Sequence, residues 1–447
     1  MSEKGGIFSI KKNLHDFFIP AKNQMQALDG LRALAIIYVI IFHALYLTQT
    51  EFKSIGDFVN FSESTPAWLN WIWHGDKGVD MFFIISGFLI ASIMMKEHQK
   101  NGNVNIPRFY ARRALRIIPV YVLALAIAAL AKRGGGNAEY FWTNLLFINN
   151  ILPLEKIFIP WSWSLSIEVQ FYILFPFILL FLYTRKKPVL YLIMFIFIAC
   201  LVRYAVILAH PELYQKAFFY HVIKDGGRSF FYFEKLYVNL YTRAGPLLLG
   251  VMIAYFFYYQ YERTKRCLSD NPILSISLGI LALILITATT SVSLYTPNIK
   301  HSEFFNIHFT ALSRNLFSLG VSIVLLLALF KVSIGKIFSS LLSQAFWYPI
   351  ARAAYVIYLF HIPFIALAYM TLGVQFDNGL LDLKLSTSLA AALLALFYTL
   401  IFSIPIYLFI EKPFMNIYRK RTSLHAGQTP QSAPTALPDW HNRYKVG

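Results

Sequence analysis

Apolar stretches of about 18 to 23 residues recur along nearly the whole chain, each long enough to cross a hydrocarbon core of roughly 30 Å. Read as helices, they fall at 31–48, 78–95, 115–131, 161–182, 188–209, 242–260, 272–289, 309–331, 350–372 and 387–411. Composition leaves them no other setting. Charged residues make up 14% of the chain and hydrophobic ones 57%. A soluble domain carries about a quarter charged residues, so too few polar side chains exist here to coat a water-facing surface. The fold class is therefore all-α, a polytopic membrane protein of about ten spanning helices. One further piece, FWTNLLFINNILP at 141–153, is too short to span. It is expected to dip in and return, which requires protein or water to cover its backbone.

Loop charge sets the orientation. Lys4, Lys11, Lys12 and Lys22 precede the first span, and Lys96, Lys100, Arg108, Arg112 and Arg113 fill the loop after the second. Arg185, Lys186 and Lys187 follow the fourth, Arg263, Lys265 and Arg266 the sixth, and Arg419, Lys420 and Arg421 the tenth. The alternate loops are near neutral. An even span count with this bias puts both termini in the cytoplasm. It also accounts for the net charge of +18 without nucleic acid as a partner. Residues 1–27 form a cytoplasmic N-terminal segment without a cleavable apolar core, so the first span acts as an uncleaved insertion signal. The tail at 422–447, rich in Ser, Thr and Pro, is expected to be disordered. The two cysteines, Cys200 and Cys267, make no disulfide framework, no Cys/His zinc spacing occurs, and no metal is expected.

An ionisable residue inside a span costs about 2.5–3.5 kcal/mol on insertion scales, so each asks for a partner or a task. Arg32 and His43 share the first span, eleven residues apart, which puts them on one face with a rise of about 16 Å. That face reaches from the cytoplasmic edge into the outer half, although a satisfied core histidine and a snorkelling arginine account for the same pair. Asp80 opens the second span, either as a helix-terminal charge or as a site residue. Ser86 and Gly87 behind it permit close approach of another helix. Asn105 and Pro107 mark a helix start. Arg112, Arg113 and Arg116 then form one cationic face, suited to a polyphosphate or to lipid headgroups. Glu168 lies about 10 Å into the fourth span, beyond Trp161 and Trp163, which suit an aromatic interface belt. An uncompensated carboxylate there reads as a base, an acid or a partner that orients His43. His361, in the ninth span, serves either a structural hydrogen bond or the reaction, and Pro363 after it is expected to kink the helix.

Taken in order, six segments resemble the bacterial integral-membrane enzymes of acyltransferase family 3. They are LDGLRALAIIYVIIFHA at 28–44, GVDMFFIISGFLI at 78–90, RFYARRALRIIP at 108–119, WSWSLSIEVQFYILFP at 161–176, YVIYLFHIPF at 355–364 and EKPF at 411–414. The resemblance implies a membrane acyltransferase domain over 28–421, set among the lipids of a bacterial inner membrane. It implies transfer of an acyl group, most often acetyl, from cytoplasmic acyl-CoA to a hydroxyl of an envelope polysaccharide or glycolipid. The family's Arg-x10-His signature falls on Arg32 and His43, and its Arg-Arg-x-x-Arg on Arg112, Arg113 and Arg116. Val169 and Gln170 stand where related sequences often carry a second acidic residue or Trp, which speaks against a paired carboxylate.

Acyl transfer to a hydroxyl needs a base, and imidazole titrates near neutral pH. His43 is the candidate, with Glu168 or Asp80 fixing its tautomer. Arg32, or amides near Ser86 and Gly87, can meet the oxyanion. Arg32, Arg112, Arg113 and Arg116 are the candidates for holding acyl-CoA, and Ser86, Trp163 and His361 for contacting substrate. An acyl intermediate on His43, Ser164 or Ser166 stays open. The competing reading is a proton-coupled transporter or flippase of a glycan-linked or anionic lipid, with His and Glu as a relay. No inverted repeat or matched pair of broken helices favours it.

Overall fold

The computed structural model describes residues 9–20, 25–133, 135–215, 231–292, 302–374 and 383–417. Lys4, Lys22, Lys420, Arg419, Arg421 and the tail at 422–447 lie outside the described residues. Among the described residues, ten helices are long and apolar enough to cross a membrane, one for each expected span. We number them α1 Gln26–Tyr46, α2 Gly78–Asn101, α3 Ile106–Lys132, α4 Trp163–Tyr183, α5 Pro188–Leu208, α6 Leu240–Tyr259, α7 Pro272–Thr290, α8 Glu303–Phe330, α9 Trp347–Thr371 and α10 Leu385–Ile406. Helices satisfy their own backbone groups, which is what an apolar solvent demands. The start of α3 is as the sequence implies, with Asn105 Oδ1 accepting from the Arg108 amide at 2.8 Å.

The helices alternate in direction. Asp80 of α2, Trp163 of α4, Arg243 of α6 and Arg314 of α8 gather at one end of the bundle, here called distal. His98, Tyr183 and Tyr259 of α2, α4 and α6 meet at the other, proximal end. α1 and α9 run the opposite way. The helix Ile10–Phe18 closes the proximal end, where Lys412 Nζ lies 2.6 Å from Asp16 and Tyr348 OH donates to the Asp16 carbonyl.

α2 is the most enclosed helix, with 83% of its apolar window buried, against 22% for α5 and 28% for α3 and α7. The rim is thus apolar on both sides and the chemistry has to lie inward. α2 and α6 cross at Gly87 and Gly250, where a Cβ would collide with the Leu247 and Ile84 carbonyls respectively. The small residues read from the sequence therefore permit backbone contact between two helices.

The segment at 141–153 does not span. It forms the short helix Phe141–Leu145 and the 3-10 turn Asn149–Ile151. The amides of its buried asparagines donate to protein: Asn144 and Asn149 each donate to Ser162 Oγ, at 2.8 and 3.0 Å, and Asn150 donates to the Val238 carbonyl at 3.1 Å. Covered backbone is the condition under which such a segment can sit at membrane depth.

Candidate active site

Two polar faces run down the distal half of α4. Ser162, Ser166 and Gln170, spaced by one turn, are taken up by the 141–153 segment: Ser166 donates to Asn149, and Gln170 Nε2 donates to the Phe147 carbonyl at 3.0 Å. Ser164, Glu168 and Tyr172 occupy the opposite face, as a two-residue offset of roughly 200° requires. They line a cleft between α1, α2, α3, α4 and α9. Ser86 and Tyr172 both donate to Glu168 Oε1, and their own oxygens lie 2.9 Å apart. Ser86 and Glu168, proposed independently from the sequence, are thus brought together.

Arg32 of α1, Arg113 and Arg116 of α3 and Arg352 of α9 line the proximal part of the same cleft, with Glu411 beside them. The Arg113 guanidinium stands 5.8 Å over the Tyr172 ring. The cleft holds about 870 Å³ of empty space including its mouth. Along its length the lining passes from four guanidinium groups, with the Glu411 carboxylate among them, to the hydrogen-bonded carboxylate of Glu168. Arg112 stands outside the lining. Its neighbours Arg113 and Arg116 share a helix face with the cleft.

His43 is not in the cleft wall. Its Nδ1 lies 2.9 Å from the Val39 carbonyl and 3.2 Å from Nε2 of His361, and the ring centroids are 4.8 Å apart. His361 is fully buried, with Nδ1 2.7 Å from the Tyr358 carbonyl, whereas His43 is half-buried. Tyr358 borders both regions. It lines the cleft, donates its hydroxyl to the Trp161 carbonyl at 2.5 Å and receives Ser164 Oγ–H at 2.5 Å.

Pro363 explains a further link. A proline removes the amide that would serve the carbonyl four residues back, here Leu359, and the Trp161 indole donates to that carbonyl instead, at 3.0 Å. α9 continues unbroken through Pro363. The same substitution occurs at Pro246, whose missing amide leaves the Thr242 carbonyl to Arg203 Nη1 at 3.0 Å.

Other sequence candidates sit elsewhere. Asp80 neither caps α2 through a side-chain bond nor touches His43; it is paired with Arg314 at 2.9 Å and Arg243 at 3.2 Å. Glu168 likewise makes no hydrogen bond to His43, because Ser86 and Tyr172 occupy it. A backbone carbonyl and a second histidine take the position expected for a carboxylate. Trp163 is buried rather than in an interface belt, 4.9 Å from the Tyr237 ring and 5.3 Å from the Arg243 guanidinium. Sequence reasoning missed Tyr172, Arg352, Tyr355 and Tyr358. Tyr172 was legible as one turn beyond Glu168. Arg352, Tyr355 and Tyr358 repeat at three-residue spacing toward His361, the helical signature of one face.

Comparison with known proteins agrees with the motifs. The family model for acyltransferase 3, described as an acyltransferase domain, matches residues 25–408. The chain is 29% identical over 378 residues to the peptidoglycan O-acetyltransferase OatA of Listeria monocytogenes, covering 80% of this chain and 52% of that protein. It is 26% identical over 379 residues to the O-acetyltransferase OatA of Staphylococcus aureus, covering 79% of this chain and 52% of that one. The chain spans about half the length of these relatives. No solved structure matches it.

Proposed function

This chain belongs to the acyltransferase 3 family, and from that premise we propose that it is a membrane O-acetyltransferase taking acetyl from acetyl-CoA to a hydroxyl of an envelope polysaccharide. Peptidoglycan is the acceptor class named for its relative from Listeria monocytogenes. The observation that carries the reading is the cleft itself, with Arg32, Arg113, Arg116 and Arg352 at the mouth and Ser86, Glu168 and Tyr172 at the floor. Forked guanidinium groups suit the phosphates of a CoA donor.

In this reading the proximal end faces the cytoplasm of a bacterial inner membrane, and the acceptor reaches the half-buried His43 from the distal side. His43 takes the acceptor's hydroxyl proton. The acceptor oxygen attacks the thioester carbon, the C–S bond breaks, and the proton passes to the departing CoA thiolate. Tyr358, which borders both the cleft and the histidine pair, marks where donor and acceptor meet. Glu168 organises the floor, and Arg113 over Tyr172 offsets its charge.

The test is transfer of radiolabelled acetyl from acetyl-CoA to peptidoglycan fragments by the purified protein in lipid nanodiscs, together with mass spectrometry of envelope glycans from cells with and without it. Label on glycan hydroxyls, lost in His43→Ala, supports the reading. Movement of a glycan-linked lipid without consumption of acetyl-CoA would replace it with transport.

A further inference from the structure

Two backbone carbonyls fix the protons of the histidine pair. A carbonyl oxygen only accepts, so the 2.7 Å contact between His361 Nδ1 and the Tyr358 carbonyl requires a hydrogen on that nitrogen. Neutral His361 therefore carries its lone pair on Nε2. The 2.9 Å contact of His43 Nδ1 with the Val39 carbonyl requires a hydrogen there as well. That hydrogen also faces His361 Nε2 at 3.2 Å, so donor meets acceptor. The remaining nitrogen of His43, Nε2, is left with the ring's lone pair.

We propose that His361 is a positioning residue that fixes His43 as the Nδ1–H tautomer and leaves Nε2 as the nitrogen that takes the acceptor's proton. The proposal rests on His43 being the base. When Nε2 gains that proton, His43 becomes an imidazolium whose Nδ1–H is held by two acceptors, the Val39 carbonyl and His361 Nε2. Passing the Nδ1 hydrogen on to His361 would leave a lone pair on His43 Nδ1 against the Val39 carbonyl and put the charge on a fully buried ring, so His361 stays neutral. The proton therefore stays on His43 until the thiolate leaves and takes it. The carboxylate of a Ser-His-Asp arrangement does this orienting work with a charge. Here a neutral ring does it within a fully buried setting, where an isolated charge is costly. His361 is held in turn through α9, with Trp161 bonded to the Leu359 carbonyl that Pro363 leaves open and Tyr358 anchored on Trp161 and Ser164.

The test has two readouts. With acetyl-CoA and peptidoglycan fragments in nanodiscs, His361→Phe is expected to lower kcat about 100-fold, the lower bound of a general base's contribution, with KM for acetyl-CoA unchanged. His361→Gln, whose amide oxygen can accept where Nε2 did, recovers most of the rate. A merely structural role would not separate these two variants in kcat while sparing KM. Wild-type kcat in His361→Phe, or equal loss in both variants when both fold, overturns the proposal. The second readout needs no turnover. In protein labelled with ¹⁵N-histidine, the resonances lost in His43→Ala should show a protonated Nδ1 and an unprotonated Nε2, with Nδ1 correlated to an unprotonated Nε2 of another histidine. An unprotonated Nδ1 on His43 overturns the proposal even if transfer is observed. Absence of transfer with the predicted ¹⁵N pattern instead overturns the acetyltransferase reading.

Discussion

Asp80 Oδ2 and Arg314 Nη1 lie 2.9 Å apart across 234 residues of sequence, in a site where Asp80 has no solvent exposure. Arg243 Nη2 faces the other carboxylate oxygen at 3.2 Å, and its guanidinium is walled by the Phe83, Trp163 and Tyr237 rings. One carboxylate thus joins α2, α6 and α8 at the distal end. Removing one partner of a buried pair costs about 3–5 kcal/mol, since the other charge stays behind; here that charge is Arg243, because Arg314 keeps its pairing with Asp76. Asp80→Asn should therefore lower the thermal unfolding midpoint of the purified protein markedly. A variant that melts like wild type but has lost transfer would instead place Asp80 in the chemistry.

Donor binding should divide the arginines of α3. Arg113 and Arg116 line the cleft and Arg112 does not. Losing a hydrogen bond to a charged group costs about 1.5–3 kcal/mol, so Arg113→Ala and Arg116→Ala should each weaken desulfo-CoA binding by about tenfold or more in calorimetry. Arg112→Ala should do less. Raising salt should narrow the differences, because the mouth is open to screening. Unchanged affinity in all three variants would return these residues to headgroup anchoring.

The sequence made the spans legible because length and apolarity are the only demands a bilayer places on a crossing helix, and each of the ten is present. Arg32, Arg113, Arg116, Ser86 and Glu168 were legible as charges or small polar groups where none is cheap, and they meet in one cleft. What periodicity could not supply was partner identity across helices. The sequence placed Glu168 and His43 at similar depth, but depth does not fix rotation, and α4 turns Glu168 toward Ser86 and Tyr172. The tyrosines of the cleft were hidden for a different reason. Among 27 tyrosines in an aromatic-rich chain, composition marks none as special. Arg352 was hidden as one more basic residue near a helix start.

At the cleft floor, Glu168 accepts from two hydroxyls at once. Glu168→Gln keeps the shape and, with its amide oxygen in the place of Oε1, can still accept from both hydroxyls, but it removes the negative charge. An expected fall in acetyl transfer of about 100-fold corresponds to roughly 2.7 kcal/mol. Tyr172→Phe removes a single bond and should cost about tenfold or somewhat more, the lower end of the range for a bond to a charged group. Initial rates with acetyl-CoA and peptidoglycan fragments give both numbers. Full activity in Glu168→Gln would remove the carboxylate from the mechanism.

Outside the spans, Asp16 on the helix Ile10–Phe18 offers a pH-dependent contact with the end of the bundle. Burial pushes its carboxyl up, but the hydrogen bond and charge of Lys412, with Lys12 and Arg352 nearby, outweigh that and hold it below the usual carboxylate range. A carboxyl whose value is lower in the folded state stabilises that state above its unfolded value, about 3.9 for Asp. The contribution is lost as pH falls through the lower folded value. The docked helix should therefore stay in place from neutral pH down to about pH 4 and loosen only in stronger acid. Amide hydrogen exchange over residues 10–18, corrected for intrinsic rates, measures this directly. Asp16→Asn should exchange faster than wild type at pH 7, and the difference should close in acid. A difference that persists unchanged at low pH would show that the Asp16–Lys412 pair does not hold the helix.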